Sequence, residues 1–284
     1  MQRGHLNMLE SVILKELTTI EQIAEARILE QAIWDVDSIP IHRTISSIRN
    51  GGIVIGAYYN DQLIGFNYSA PGFVDGEIYL YSHMLGVKRE YRERGVGELI
   101  KIYLKELATE RGYVKGKWTF DPLEARSGHL NFAKLRSHCN TYIENCYGEL
   151  EDPFNKDLPT DRLLVEWQML DDNYLRWDAK LEEMSDEADF IVDWALNEKG
   201  LPALVEEQIP SIDEKFTEVS YKLPIPTAFQ KIKIEGSALA EHWRFSTRQL
   251  FQQLFNQGYT ILSLQSHNEH ISYYLFVKRS LFAI

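Results

Sequence analysis

Apolar residues alternate or recur along the first 170 positions in a way that assigns elements one after another. Val12 to Leu17 reads as a strand, and Thr18 or Thr19 can cap a helix with Glu21 and Gln22 in its first turn. Ile23, Ala24, Ile28, Leu29 and Ile33 then recur at helical spacing. Ser46 to Asn50 predicts a short helix stopped by Gly51-Gly52. Ile53 to Tyr59 and Gln62 to Ser69 predict a hairpin about Asn60-Asp61. Ala70 to Gly76, with Pro71, Gly72, Asp75 and Gly76, reads as a loop. Glu77 to Val87 reads as a strand, with Ile78, Leu80, Ser82 and Met84 on one face and Glu77, Tyr79, Tyr81, His83 and Leu85 on the other. Gly86 lies inside it, where glycine marks a bulge or a close backbone approach.

The best-patterned helix follows. Val96, Leu99, Ile100, Tyr103, Leu104 and Leu107 form one stripe, and Gly112 suits a left-handed C-terminal position. Tyr113 to Phe120 predicts a strand closed by Asp121-Pro122, and Leu130 to Leu135 a short helix. Thr141 to Tyr147 and Arg162 to Trp167 predict two more strands joined by a polar loop. From Leu170 the character changes: Asp171 to Asn197 is acidic, tryptophan-containing and helical in composition, and Gly200 to Phe216 is loop-like. Val219 to Ile225, Tyr259 to Leu264 and Ile271 to Val277 predict strands around a helix from Ser237 to Asn256. The expected organisation is one domain over 1–169 and an α+β extension over 170–284.

Composition narrows the function classes. The chain has 284 residues, 44% hydrophobic and 25% charged, and a net charge of −12. That charge disfavours nonspecific nucleic-acid binding and an anionic membrane surface. Two cysteines, Cys139 and Cys146, make no disulfide framework and no metal pair, which fits a reducing cytoplasm. Met1 to Leu9 lacks the apolar run of a signal peptide, and no stretch reaches about 18 consecutive apolar residues. His267 and His270 lack a third ligand, so no metal site is expected.

The junction from Glu77 to Gly112 carries the chemistry. A strand, the loop Arg92-Glu93-Arg94-Gly95-Val96-Gly97 and a helix make an anion-binding arrangement, because N–H groups at a helix start lack intrahelical acceptors. A dinucleotide fingerprint would need a third glycine where Ile100 stands. A Walker loop fails at Gly112 to Trp118, one residue short and ending in Trp. The string Val87, Arg92, Gly95, Gly97, with the order of elements on both sides over roughly Val12 to Met169, resembles the acyl-CoA loop of the GNAT superfamily of N-acyltransferases. Arg89 stands where that family often has Pro, and Glu93 where it often has Gly.

The resemblance implies a mixed, mostly antiparallel α+β fold flanked by helices, with acetyl-CoA or another acyl-CoA as co-substrate. It implies an enzyme moving an acetyl or larger group, such as succinyl, to the amine of a small molecule such as an amino acid. Backbone N–H groups from Arg92, Glu93, Arg94, Gly95, Val96 and Gly97 would hold the pyrophosphate. Leu85, Gly86 and Val87 would meet the thioester, and Asn131 would contact the CoA arm. Direct transfer needs a base to free the amine's lone pair and an acid for the departing thiolate. His83 and Asp121 are the candidate bases, each with a plain alternative: a half-exposed strand histidine and a turn residue before Pro122. The family's thiolate acid is usually a Tyr in the helix after that strand; none occurs between Phe120 and Thr141, so the nearest donors are His138, Tyr142 and Tyr147, of which Tyr147 is the chosen candidate. Trp177, Trp194 and Trp243 read as core, and Arg244 and Arg248 either grip a substrate carboxylate or pair with neighbouring acids. The extension is free to form an acceptor pocket or a homodimer interface. The competing reading is a catalytically weak acyl-CoA-binding or interaction module on the same fold.

Overall fold

A computed structural model describes residues 8–34, 38–150, 152, 155–170 and 177–282. Most of Met1 to Leu9 and the 171–176 portion of the stretch read as helical lie outside the described residues. The chain packs as two compact units, Met1–Trp118 with Trp167–Leu170, and Thr119–Glu166 with Asp171–Ile284. The boundary expected after Met169 differs from this division, which falls within two strands.

In the first unit, β1 (Ile13–Glu16), β2 (Ile53–Tyr59), β3 (Gln62–Val74) and β4 (Glu77–Val87) pair antiparallel in sequence order, and β5 (Lys115–Phe120) joins β4 in parallel. Helix α1 (Ile20–Trp34) starts with a reciprocal cap: Gln22 N donates to Thr19 Oγ1 at 3.3 Å, and Thr19 N to Gln22 Oε1 at 3.1 Å. Its apolar side packs Ile23, Ala26 and Leu29 on Leu17, Val54, Leu63 and Phe66. Helix α2 runs from Ile41 to Arg49, beginning a turn earlier than expected, with Pro40 as its N-cap residue. Helix α3 (Val96–Glu110) buries Val96, Ile100, Lys101, Leu104 and Ala108.

Two expectations on the hairpin need correction. Ala70 to Gly76 is not a loop: β3 continues to Val74, and only Asp75 and Gly76 turn, both at positive φ. Pro71 is tolerated because β3 has passed its last β2 partner, Ser69 opposite Ile53, so its missing N–H breaks no β2 bond. The irregularity of β4 is not at Gly86, which pairs regularly with Phe66. Tyr68 faces Met84 and Ser69 faces Ser82, so His83 is the extra residue of a bulge. Gly86 serves close packing instead, since a Cβ there would sit 2.7 Å from Phe66 Cε1 and 2.9 Å from Ile33 Cδ1.

The second unit has a sheet ordered β7 (Arg162–Gln168), β6 (His138–Ile143), β11 (Tyr259–Ser266), β12 (Ile271–Lys278) and β10 (Ser220–Pro226), each neighbour antiparallel. A short helix α4 (Ala125–Gly128) leads into a π-helical turn, His129–Lys134. Among the described residues of the acidic stretch, Asp178–Glu187 (α5) is helical; Trp194–Leu196 is strand β8, paired with β9 (Pro202–Leu204) inside the region read as loop. Helices α6 (Phe229–Glu235) and α7 (Ser237–Asn256) complete the unit. Trp243 is fully buried, and its indole N–H donates to the Pro202 carbonyl at 2.9 Å. Leu181 and Met184 of α5 pack on Leu262, Leu275 and Val277, with Trp177 partly buried against them. Among the described residues, no helix is long and apolar enough to cross a membrane.

Candidate active site

The first unit's site begins where β4 and β5 part. Their pairing matches Leu80 to Gly116 and Tyr81 to Lys117, while β4 runs on to Val87. The backbone from Leu85 to Val87, expected to meet the thioester, lies on this continuation. Arg92 braces the end of the strand, its Nε donating to the Val87 carbonyl at 2.9 Å.

The loop between them is a turn of two left-handed residues, Glu93 at φ 62 and Gly95 at φ 84. Gly95 is the N-cap of α3 and has no side chain with which to cap the helix; the first N–H groups of a helix have no intrahelical acceptor. Glycine is required twice over: φ is positive, and a Cβ would meet Leu9 Cδ1 at 3.1 Å. Arg94 lies over the Tyr91 ring at 6.0 Å and reaches Met8 Sδ at 4.0 Å.

The bulge sets His83 beside Tyr68 and Tyr81. Its ring meets Tyr68 edge-on at 5.9 Å and lies tilted to Tyr81 at 6.3 Å. Partial desolvation lowers the His83 pKa from its ordinary 6.5, so the neutral imidazole, which can accept a proton, prevails at neutral pH.

Beneath the bulge lies a buried polar chain that sequence reasoning missed. Lys101 Nζ donates to Ser82 Oγ at 2.8 Å and stands 3.6 Å from the centre of the Trp118 ring. Asn67 Nδ2 donates to Ser82 Oγ at 2.6 Å and to the Met84 carbonyl at 2.7 Å, and Ser69 Oγ donates to Asn67 Oδ1 at 2.6 Å. Lys101 thus bridges Ser82 and Trp118, the residues just beyond the last paired positions of β4 and β5. Burial lowers its pKa to about 7. A signal existed, since Lys101 stands three and seven residues before the buried Leu104 and Ala108 on one helical face.

The remaining candidates belong to the second unit. Asp121 is no free base: Arg244 Nη2 donates to its Oδ2 at 2.5 Å, and Arg162 Nη1 lies 3.9 Å away. Burial pushes its pKa up, but Arg244 and then Arg162 outweigh that and hold it below the usual range. Tyr147 shares a 2.6 Å hydrogen bond with Thr119 Oγ1 and lies under the Arg162 guanidinium at 5.5 Å. Asn131 is not at a helix start; it is buried inside the π-helical turn, its carbonyl accepting from Ser137 N and Oγ. Tyr142 and Arg248 converge on Asp161, whose oxygens accept from the phenol at 2.6 Å and from Arg248 Nε and Nη2 at 2.8 Å each. Among the described residues, no group of three or more His, Cys, Asp or Glu side chains is placed to hold a metal ion.

No curated protein matches the chain. Three solved structures are similar in part. Arabidopsis thaliana Naa50 with the bisubstrate analogue CoA-Ac-MVNAL is 19% identical, with a TM-score of 0.45 over 55% of this chain and 97% of that one. The ribosomal-protein-S18-alanine N-acetyltransferase from Escherichia coli is 15% identical, with a TM-score of 0.46 over 56% and 94%. A GNAT-family acetyltransferase from Streptococcus pneumoniae is 15% identical, with a TM-score of 0.44 over 55% and 98%. At these scores the assignment does not rest on them but on the family match. Residues 18–130, which contain the β4 bulge, the glycine loop and α3, match the model of the acetyltransferase (GNAT) family, and the chain carries a GNAT acetyltransferase domain.

Proposed function

We propose that the protein transfers an acyl group, acetyl or larger, from acyl-CoA to the amine of a small molecule such as an amino acid. The observation that carries this reading is the uncapped, glycine-opened start of α3 directly after the end of β4. The N–H groups and dipole of a helix start suit a pyrophosphate. Backbone N–H groups at Leu85, Gly86 and Val87 are the donors proposed to stabilise negative charge on the thioester oxygen. His83, neutral at neutral pH, takes a proton from the incoming amine, and the departing thiolate takes up a proton as it leaves. Bonding between the amine nitrogen and the acyl carbon breaks the carbon–sulfur bond, leaving an amide and free CoA thiol.

Thiol release over a panel of amines and amino acids with acetyl- and succinyl-CoA tests this directly. Gly95→Trp forces a side chain onto a left-handed position beside Leu9 and is expected to abolish CoA binding while the fold persists. Unchanged CoA affinity in that variant places the cradle elsewhere. A second reading, an acyl-CoA-binding module with weak or no catalysis, is favoured by the Asp121–Arg244 pair, which leaves His83 without a second candidate base. Tight CoA binding with no turnover on any acceptor would decide for it.

A further inference from the structure

Helix α7 carries two arginines one turn apart, Arg244 and Arg248, and the two are served very differently. Arg248 has its fork filled by the protein: Nε and Nη2 meet both oxygens of Asp161 at 2.8 Å, and Nη1 reaches Glu144 Oε2 at 3.1 Å. Arg244 is 1% exposed, and of its three nitrogens only Nη2 has a partner, Asp121 Oδ2. Nε and Nη1 are buried and have no hydrogen-bond partner among the described residues. The other Asp121 oxygen already accepts from Leu123 N at 2.9 Å.

Leaving two N–H donors of a buried guanidinium unmet is costly, on the order of 1–3 kcal/mol for each group and more when charged. Shedding the charge is no escape. Burial pulls the Arg244 pKa down, but Asp121 more than compensates and raises it above the ordinary arginine value. The Phe229 ring of α6 lies 5.6 Å from Arg244 Cζ. Glu124 is pushed toward its neutral form by burial and then by Asp121, which lessens the negative charge opposing an incoming anion. Nε and Nη1 lie on different edges of the guanidinium, so a carboxylate meets one of them, through Nη1 and the second Nη2 hydrogen, and adds the negative charge that a guanidinium favours.

We infer that Arg244 anchors a carboxylate-binding site in the second unit that takes a small organic carboxylate. The inference goes beyond acyl transfer and does not depend on it, because the residues that carry it lie outside the acyl-CoA cradle. The carboxylate comes either from an acceptor that also bears an amine or from a separate small acid.

Calorimetric titration of the full chain, without acyl-CoA, tests the site. Suitable probes are glycine, L-alanine, L-glutamate, acetate and succinate, each against its carboxamide, with inorganic phosphate as a further anion. At least one carboxylate is expected to bind, its carboxamide more weakly by about tenfold or more, a difference of about 1.4 kcal/mol. Arg244→Met is expected to abolish that binding, and Arg244→Lys to weaken it, because an ammonium keeps the charge and loses the fork. Should Arg244→Met fail to fold, the carboxylate-against-carboxamide comparison in the wild type and the weakening expected in Arg244→Lys still decide. No binding by any probe, equal binding of carboxamides, binding of phosphate alone, or binding undiminished in a folded Arg244→Met would each overturn the inference. Turnover of a bound amino acid with acyl-CoA would mark the acceptor's own carboxylate. Binding confined to acetate and succinate would mark a separate acid, and both results support the site. Failure of transfer with binding intact would count against the proposed enzyme and not against the site.

Discussion

At residue scale, two titratable groups at the β4 bulge carry the sharpest expectations. His83 must be neutral to accept a proton, and its desolvation holds the pKa below 6.5. The value of kcat/KM is therefore expected to fall on the acid side only below that pH. His83→Gln is expected to remove the acid limb and cost about 10²- to 10⁴-fold in kcat/KM. An unaltered pH profile in that variant would remove His83 from the chemistry. Lys101 behaves oppositely to a paired lysine. Its folded pKa, about 7, lies below its unfolded value of 10.5, so the unfolded chain binds more protons between those values. Stability from this group is least below pH 7 and rises as pH approaches 10.5, at up to about 1.4 kcal/mol per pH unit. Urea midpoints at pH 7 and 9.5 are expected to diverge between wild type and Lys101→Met, the wild type gaining with pH. A constant gap would show that Lys101 is charged where it lies.

At element scale, local rules explain most boundaries. The start of α1 is held by Thr19 and Gln22, each serving the other's backbone. Thr19→Ala is expected to cost about 1 kcal/mol by urea denaturation, within the range for lost N-caps. The β3–β4 hairpin shows where composition misleads. Pro71 and Gly72 read as loop residues, yet cross-strand pairing with Leu80 and Tyr79 keeps them extended. Tyr79 covers Gly72, a Cβ on which would fall 2.3 Å from the Tyr79 ring. Tertiary partners outweigh residue preference there.

At the scale of the whole molecule, the second unit relies on a buried carboxylate that ties distant segments together. Asp161, at the start of β7, accepts from Tyr142 of β6, from Asn145 N and from Arg248 of α7. Asp161→Asn removes the charge facing Arg248 and is expected to destabilise the protein by about 3–5 kcal/mol, the range for breaking a buried pair. Thermal denaturation checks this, and a loss below about 1 kcal/mol would place the pair among weak surface bridges.

Periodicity and spacing alone determined the strand and helix sequence of the first unit, the hairpin at Asn60-Asp61 and the glycine loop opening α3. These depend on local conformational preference and on one amphipathic face, both written within a few residues. Only the tertiary structure decided the rest. The bulge falls on His83 and not Gly86, because register belongs to a pair of strands. Lys101 lies under Ser82 and Trp118, and Asp121 is taken by an arginine 123 positions away, because burial and ion pairing join residues that no local pattern relates. The acid chosen as a base thus proved to be a partner, and the arginine read as that partner is left with two donors unmet.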